Sequence, residues 1–213
     1  MKNKSALIKN GFALLIAGVL VFTFLGCSSG GNKTSPFQIA FCSLYVNESA
    51  VSDYGAALLN SIPDLSIDGK APLFTPMIMG ESQNDNQLSN DPMANMASIM
   101  KAAAVVSTGD LDVMIADMDN GARNARSGMF MNVSDLFPGE DLSALGTRLL
   151  SFDILNTDSY QPVPTGEKTP VCGISITGND QMKKIFGDQE IGVFVVANTK
   201  NLELAQKVVR SLL

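Results

Sequence analysis

The sequence predicts an α/β fold: a three-layer domain with a mainly parallel, five-stranded sheet and helices on both of its faces. Short apolar runs rich in β-branched and aromatic residues alternate along the chain with segments whose apolar residues have helical spacing. This alternation is typical of β-α-β units, which place successive strands parallel to one another. The 213 residues, 46% of them hydrophobic, are enough for one domain with a sizeable core.

The first predicted strand is followed directly by the first predicted helix. Residues 37–46 form a largely apolar run that is typical of a buried strand. Residues 47–62 follow with apolar side chains at helical spacing, and Asn47 or Ser49 can cap the start of that helix. We expect Pro63 to end it, because proline lacks the backbone N–H that a helix interior needs.

The second and third strands are predicted at residues 73–79 and 111–118. Pro76 favours an edge position for the second strand, since it cannot donate a ladder hydrogen bond from its own nitrogen. Between the two strands, Pro92 marks the first turn of a helix and Gly109 can end that helix.

The second half of the chain is predicted to add two more strands, at residues 171–177 and 191–197. The helical segments of this half are expected at residues 119–127, 142–150, 180–186 and 202–212. Residues 156–169 are polar and contain two prolines, so we expect a long surface connection there. The sequence leaves open whether residues 138–170 form a lid over a ligand.

The N-terminus is typical of a bacterial lipoprotein signal. Three lysines precede an unbroken apolar stretch at residues 12–25, and Gly26 and Cys27 follow it. We expect residues 1–26 to be removed and Cys27 to carry the lipid on the outer side of the membrane. The alternatives are a secretory signal without lipid and an uncleaved anchor, although this stretch is shorter than the roughly 20 residues that span a bilayer.

The N-terminal segment is positively charged, whereas the rest of the chain is acidic. The chain carries a formal net charge of −6, and loss of residues 1–26, with three lysines and no acidic residue, makes it −9. Such an acidic chain is unsuited to nucleic acid or to an anionic membrane surface, so membrane attachment should come from the lipid. We expect residues 27–36 to be a flexible tether and residues 37–213 to be the domain.

The residue types exclude several kinds of chemistry. The chain has no histidine and no tryptophan, which removes histidine-dependent triads, histidine metal sites and the most favoured aromatic platform. Cys42 and Cys172 lie in apolar runs, where they are either a disulfide or two buried thiols. No spacing of carboxylates or lysines identifies an active site, so neither an enzyme nor a cofactor is predicted.

Two segments resemble parts of a known family. Residues 109–117 (GDLDVMIAD), followed by residues 122–137, are similar to a passage of the extracellular solute-binding proteins of ABC transporters. Residues 192–213 resemble a second element of that family. The resemblance implies one lobe of the periplasmic-binding-protein-like II type, a strand that delivers a residue to a binding cleft, and a transporter permease as partner. Family members usually close two lobes over a ligand, whereas residues 37–213 leave room for one.

The candidate binding residues follow the predicted strands, because ligands of open parallel sheets bind beyond the carboxyl ends of the strands. Asp117, Asp119 and Asn120 leave the third strand and offer carboxylates and an amide to sugar hydroxyls, an amine or a hard cation. Alternatively, Asp117 or Asp119 caps the next helix. Tyr45 can stack on a ligand or belong to the core, and Glu81 follows the second strand.

Two functions are compatible with these observations. The first is a membrane-anchored, non-catalytic binding module for a small molecule such as a sugar or a peptide. The second is a structural or protein-interaction lipoprotein that has lost its ligand, in which an apolar patch is covered by a partner or a second copy.

Overall fold

The computed structural model describes residues 35–79, 100, 109–156 and 162–213. Several predictions lie outside these residues: the signal segment, the lipidated Cys27, most of the tether, most of the helix between Pro92 and Gly109, and Glu81. Residues 35–213 form one compact unit. Within the described part, no helix is both long and apolar enough to cross a membrane.

The described elements follow one another as strands interrupted by short helices. The strands are β1 (Gln38–Ser43), β2 (Leu73–Ile78), β3 (Val113–Asp117), β4 (Leu149–Leu150), β5 (Asp153–Asn156), β6 (Val163–Lys168), β7 (Gly173–Ser175) and β8 (Ile191–Val195). The helices are α1 (Glu48–Ser61), α2 (Met118–Arg126), α3 (Val133–Leu136), α4 (Asp180–Phe186) and α5 (Leu202–Leu212), with 3-10 turns at Pro63–Leu65 and Ser143–Arg148. Asn47 caps α1 by accepting a hydrogen bond from the Ala50 N–H, which confirms one of the two predicted caps.

The main sheet has six strands of mixed direction, in the order β2-β1-β3-β8-β7-β4. The α/β class is confirmed, but the prediction of a mainly parallel, five-stranded sheet is wrong. Strand β1 is parallel to β2 and β3, whereas β8 is antiparallel to both of its neighbours and β4 is antiparallel to β7. The parallel half therefore comprises the first three strands of the chain.

The direction of β8 has a physical cause in the short connection that precedes it. A parallel neighbour requires a crossover that returns the chain along the whole sheet. Helix α4 has only 7 residues and stays near the end of β1, where the Asn47 N–H donates to the Ile185 carbonyl at 2.8 Å. The chain therefore enters β8 at the same edge of the sheet at which β7 ends. Strand β8 consequently runs antiparallel to β7.

The edge position predicted from Pro76 is confirmed. Among the described strands, β2 lies at one edge of the sheet, and the Leu73 and Met79 N–H groups donate to the Phe37 and Ser43 carbonyls at 2.8 and 2.9 Å. Peptide groups alternate in direction along a strand, so the missing N–H of Pro76 falls on the outer side. The proline thus leaves the ladder to β1 intact and removes a donor from the exposed edge.

Each face of the sheet packs against its own apolar cluster. Phe41 belongs to one cluster, where its ring lies 5.9 Å from Tyr54 of α1 and 6.2 Å from Phe186 of α4, and α5 packs into the same cluster. The adjacent residue Cys42 belongs to the other cluster, together with Ala125 of α2. Helices therefore cover both faces, as the sequence predicts.

The segment before β7 differs most from its prediction. Residues 142–150 form a 3-10 turn and β4 instead of a helix, because Gly146 has φ 48° and ψ −122°, which interrupts helical geometry. The predicted surface connection, residues 156–169, contains strand β6, which pairs antiparallel with β5 and is exposed at every residue. That strand has no buried side, so the alternation by which a strand is recognised is absent from its sequence.

Candidate functional site

The carboxyl ends of the first three strands meet at one edge of the sheet, which we call the carboxyl edge. Cys42 of β1 is opposite Ala116 of β3 and Met77 of β2. The next residues, Ser43 and Asp117, therefore end neighbouring strands. This is the edge at which the sequence predicts binding residues.

Asp117 and Asn120 form one hydrogen-bonded unit at the carboxyl edge. The Asp117 carboxylate accepts from the Asn120 backbone N–H at 2.8 Å and from the Asn120 Nδ2 at 3.0 and 3.1 Å. Asp117 is the N-cap of α2, which confirms the capping alternative for this residue. The cap also holds the carboxylate at the end of β3, with 9% of its surface exposed.

Asn120 is the most enclosed polar side chain of this group, with 2% of its surface exposed. Its Nδ2 donates to the Met79 carbonyl at 3.0 Å as well as to Asp117, so the amide bridges the ends of β2 and β3. Its Oδ1 is buried and has no hydrogen-bond partner among the residues that the structure describes. One acceptor at the carboxyl edge is therefore unsatisfied.

Of the other predicted site residues, the two that the structure describes, Tyr45 and Asp119, lie at the surface. Asp119, in the first turn of α2, is exposed and does not belong to the Asp117–Asn120 unit. Tyr45 follows β1 with 56% of its surface exposed, so the alternative that it is a core tyrosine is wrong. Glu81 is outside the described residues. The structure therefore brings Asp117 and Asn120 together and leaves Tyr45 and Asp119 exposed.

Gln189 also lies at this edge, and sequence reasoning missed it. The Ser43 Oγ donates to the Gln189 Oε1 at 2.5 Å, while the Gln189 Nε2 donates to the Phe186 carbonyl at 2.6 Å. A weaker contact of 3.4 Å joins the same Nε2 to the Tyr45 carbonyl. Since Ser43 and Gln189 are 146 residues apart, no local pattern could have revealed the pair.

Both cysteines of the domain are buried free thiols, which confirms the second of the two predicted alternatives. Burial, and to a smaller extent the negative charge of Asp117, raises the pKa of the Cys42 thiol to about 12. Burial also raises the pKa of Cys172. Both side chains therefore stay protonated at neutral pH, which makes them poor nucleophiles.

A second buried carboxylate, Asp112, lies at the opposite edge of the sheet. It accepts hydrogen bonds from the Gln38 N–H at 2.9 Å, from Thr199 at 2.6 Å and from Asn201 at 3.0 Å. Burial raises its pKa, although these three bonds oppose the shift and the charge of Asp110 adds to it. Because its acceptors are taken up by donors from two other chain segments, we assign Asp112 a structural role.

The described residues offer no centre for a metal ion, since no group of three or more cysteine, aspartate and glutamate side chains is suitably placed. Two apolar cavities lie away from the carboxyl edge. One, of about 390 Å³, lies between α1 and β2 and includes Gly55 and Phe74 in its walls. The other, of about 340 Å³, includes Val133 and Val171. Neither has Asp117 or Asn120 in its walls.

No protein-family model matches this chain, and neither the curated proteins nor the solved structures include a protein similar to it. The geometry of the carboxyl edge combines a held carboxylate, a buried amide whose oxygen has no hydrogen-bond partner among the described residues, and an exposed tyrosine.

Proposed function

We propose that this chain is a lipid-anchored, extracytoplasmic binding module with the architecture of a single lobe of a periplasmic-binding-protein-like II domain. The observation that carries this proposal is the Asp117–Asn120 unit at the carboxyl edge, which keeps an unsatisfied buried acceptor. The resemblance of residues 109–117 to solute-binding proteins implies a strand that delivers a residue to a cleft. Strand β3 ends in Asp117, in agreement with that expectation.

The proposed location rests on the N-terminal sequence. Residues 12–25 have the length of a signal segment, and Cys27 stands at the position where a lipoprotein signal is cut and lipidated. The acidic charge of the remaining chain supports a lipid anchor over electrostatic attachment. In this proposal the module is non-catalytic, and its partner is a transporter permease in the same membrane.

The binding function is tested by thermal unfolding of the full chain in detergent micelles, followed by circular dichroism because the chain lacks tryptophan. Sugars, amino acids, short peptides and metal ions are added separately. A ligand at about 100 times its Kd stabilises the native state by about 2.7 kcal/mol, which raises Tm by several degrees. If no compound in the panel raises Tm, the proposal of a binding module is wrong.

The second candidate, a protein-interaction lipoprotein without a small ligand, is favoured by a different observation. Leu44, Tyr45 and Ile78 are exposed at the carboxyl edge to 37%, 56% and 39%. These side chains follow or end two adjacent strands, so they form an apolar surface where a partner or a second copy can bind. Light scattering of the full chain in detergent tests self-association, and a protein that remains monomeric at all concentrations would contradict pairing with a second copy.

A further inference from the structure

The outer side of β2 presents backbone groups that no described strand pairs with. In the described part of the sheet, β1 is the one strand that pairs with β2. Backbone groups alternate in direction along a strand, and the Leu73 and Met79 N–H groups point toward β1. The N–H groups of Phe74 and Ile78, and the carbonyl groups of Phe74, Pro76 and Ile78, therefore point away from the sheet.

A groove of about 390 Å³, which we call the α1–β2 groove, runs beside this strand. Its volume is within the range of about 300–1,000 Å³ that is typical of binding pockets. Its walls include Ala56 and Leu59 from α1 and Phe74 from β2. Gly55 lets the two elements approach closely, because an added Cβ there would lie 2.7 Å from the Phe74 ring.

A groove next to outward-pointing backbone groups suits the addition of a further strand. An extended segment that pairs with β2 satisfies these groups, and every second side chain of the segment lies on the face that α1 covers. Backbone pairing then supplies affinity, while the groove selects the side chains. A helix suits this place less well, because its backbone groups are already paired and those of β2 would stay unpaired.

Pro76 removes one hydrogen bond from such a pairing. In an antiparallel ladder each outward residue donates one hydrogen bond and accepts one, but Pro76 has no N–H and only accepts. A second copy of this chain would bring its own Pro76, so an antiparallel pair of β2 strands would lose two donors. A segment of another protein that contains no proline loses only one.

The charge of the α1–β2 groove also favours a different protein over a second copy. Glu48, exposed in the first turn of α1, is the one charged residue that the structure places in the walls. The chain has a formal net charge of −6, so two copies repel each other. A segment with a basic residue beside Glu48 gains the modest attraction of a surface ion pair.

We propose that the α1–β2 groove binds an extended, basic and partly apolar segment of another protein, which adds to β2 as an antiparallel strand. Glu48 follows β1, so it lies near the carboxyl end of the parallel strand β2. An antiparallel segment starts at that end, which places its basic residue near its own N-terminus. Neither Asp117 nor Asn120 is in the walls of the groove, so this docking site is independent of the small-molecule function proposed above.

The test is fluorescence polarisation of labelled peptides of six residues, the length of β2, with the full chain in detergent micelles. The first peptide has an N-terminal arginine followed by alternating valine and threonine. The second has glutamate in place of arginine, and the third is the first with every peptide nitrogen methylated. We expect the first to bind with a Kd below about 1 mM and the second to bind about fivefold more weakly. The third should not bind, because it has lost its backbone donors.

Two adjacent alanines of α1 provide a matched pair of variants. Ala56→Lys places a long side chain in the groove, whereas Ala57→Lys places the same side chain at an exposed position outside its walls. We expect Ala56→Lys to weaken the Kd of the arginine peptide at least about tenfold and Ala57→Lys to leave it within about twofold. Both positions are exposed, so both variants should fold, and uptake of peptide by the micelles is the same for both.

A third variant tests the role of charge. Glu48→Gln removes the carboxylate from the wall of the groove and keeps the size of the side chain. We expect it to bind the arginine and glutamate peptides with Kd values that agree within about twofold. A fivefold preference for the arginine peptide that persists in Glu48→Gln would show that the basic residue lies elsewhere, which contradicts the proposed orientation.

The remaining outcomes decide whether the groove is a docking site for a strand. The inference is wrong if the arginine peptide does not bind at about 1 mM, if methylation leaves its Kd unchanged, or if the two lysine variants weaken it equally. Self-association of the wild type that Ala56→Lys alone abolishes, as measured by light scattering, would assign the groove to a second copy instead. None of these results affects small-molecule binding at the carboxyl edge, which thermal unfolding tests separately.

Discussion

The Asn120 Nδ2 lies 3.0 and 3.1 Å from the two carboxylate oxygens of Asp117, at the end of a buried strand. The same nitrogen reaches the Met79 carbonyl at 3.0 Å, so one amide joins β2, β3 and the first turn of α2. The relationship explains how a carboxylate stays in place at the carboxyl edge. It also leaves the amide oxygen without a hydrogen-bond partner in the described part of the chain.

The N-cap of α2 should make a measurable contribution to the free energy of unfolding. Asp117→Ala removes the acceptor for the Asn120 N–H, so we expect the free energy of unfolding to fall by about 1–2 kcal/mol. Asp117→Ser should lose less, because a serine oxygen can accept the same hydrogen bond. Urea unfolding followed by circular dichroism measures both. The exposed Asp119→Ala serves as control, with an expected change within about 0.5 kcal/mol, and an equal loss in all three variants would contradict the cap.

Phe194 occupies a space that three glycines leave free. An added Cβ would lie 2.6 Å from its ring at Gly121, 2.3 Å at Gly173 and 2.7 Å at Gly192. The ring also stacks on Phe130 with a centroid distance of 4.6 Å, so it cannot easily move. Gly121→Ala gains about 1 kcal/mol of helix propensity and loses about 1–3 kcal/mol by overpacking, so we expect net destabilisation.

A second substitution tests whether the ring causes the effect at Gly121. Phe194→Leu removes the atom that the new Cβ would approach. Urea unfolding gives the unfolding free energies of the wild type, the two single variants and the double variant. These four values form a double-mutant cycle. We expect the double variant to be more stable than the sum of the two single losses predicts, by at least about 0.5 kcal/mol. Strict additivity would mean that Gly121 does not act through Phe194.

Asp112 should give the protein a distinctive dependence on pH. Burial raises its folded-state pKa above the ordinary value of 3.8, so the native state binds this proton more tightly than the unfolded state. The contribution of Asp112 to stability is thus most favourable at low pH and declines as pH rises through the two pKa values. Relative to Asp112→Asn, we expect wild-type stability to fall as pH rises above about 4. A constant difference between the two proteins over this range would contradict the raised pKa.

The Cys42 thiol should resist alkylation in the native state. With a pKa of about 12, roughly one thiol in ten thousand is a reactive thiolate at pH 8. We expect iodoacetamide to leave Cys42 unmodified in the folded chain and to label it fully in urea, as mass spectrometry of its peptide measures. Rapid labelling without denaturant would show that the end of β1 opens readily.

Lipid attachment at Cys27 has a direct biochemical test. Cells that express the full chain are fed an alkyne analogue of palmitate, and the purified protein is examined for the label. We expect label and membrane association in the wild type, and neither lipid label nor a cleaved signal in Cys27→Ser. Equal labelling of the two proteins would place the lipid elsewhere or contradict lipidation.

The sequence was sufficient to predict the features of the fold that depend on a local pattern of residues. Apolar periodicity located β1 and α1, Asn47 carried its capping signal, and Pro76 indicated an edge strand. Asp117 and Asn120 were selected as candidates because polar residues directly follow a buried strand. All of these inferences use residues that are close together in the chain.

The features that the sequence did not reveal depend on distant partners. Strand β8 pairs antiparallel with β3, and its own residues carry no information about that direction. The two-residue strand β4 is too short to have a recognisable period. The Ser43–Gln189 bond and the glycine space around Phe194 join segments that are far apart in the chain, so they became visible only in the folded structure.

Hydrogen exchange of the full chain, with and without a saturating concentration of a compound that raises Tm, tests the central claim most directly. Backbone N–H groups that are stabilised by the ligand should exchange more slowly, and mass spectrometry locates them by peptide. We predict new protection in the peptide that spans the end of β3 and the start of α2, including the Asn120 N–H. Protection confined to the groove between α1 and β2, with no change around Asn120, would contradict the account.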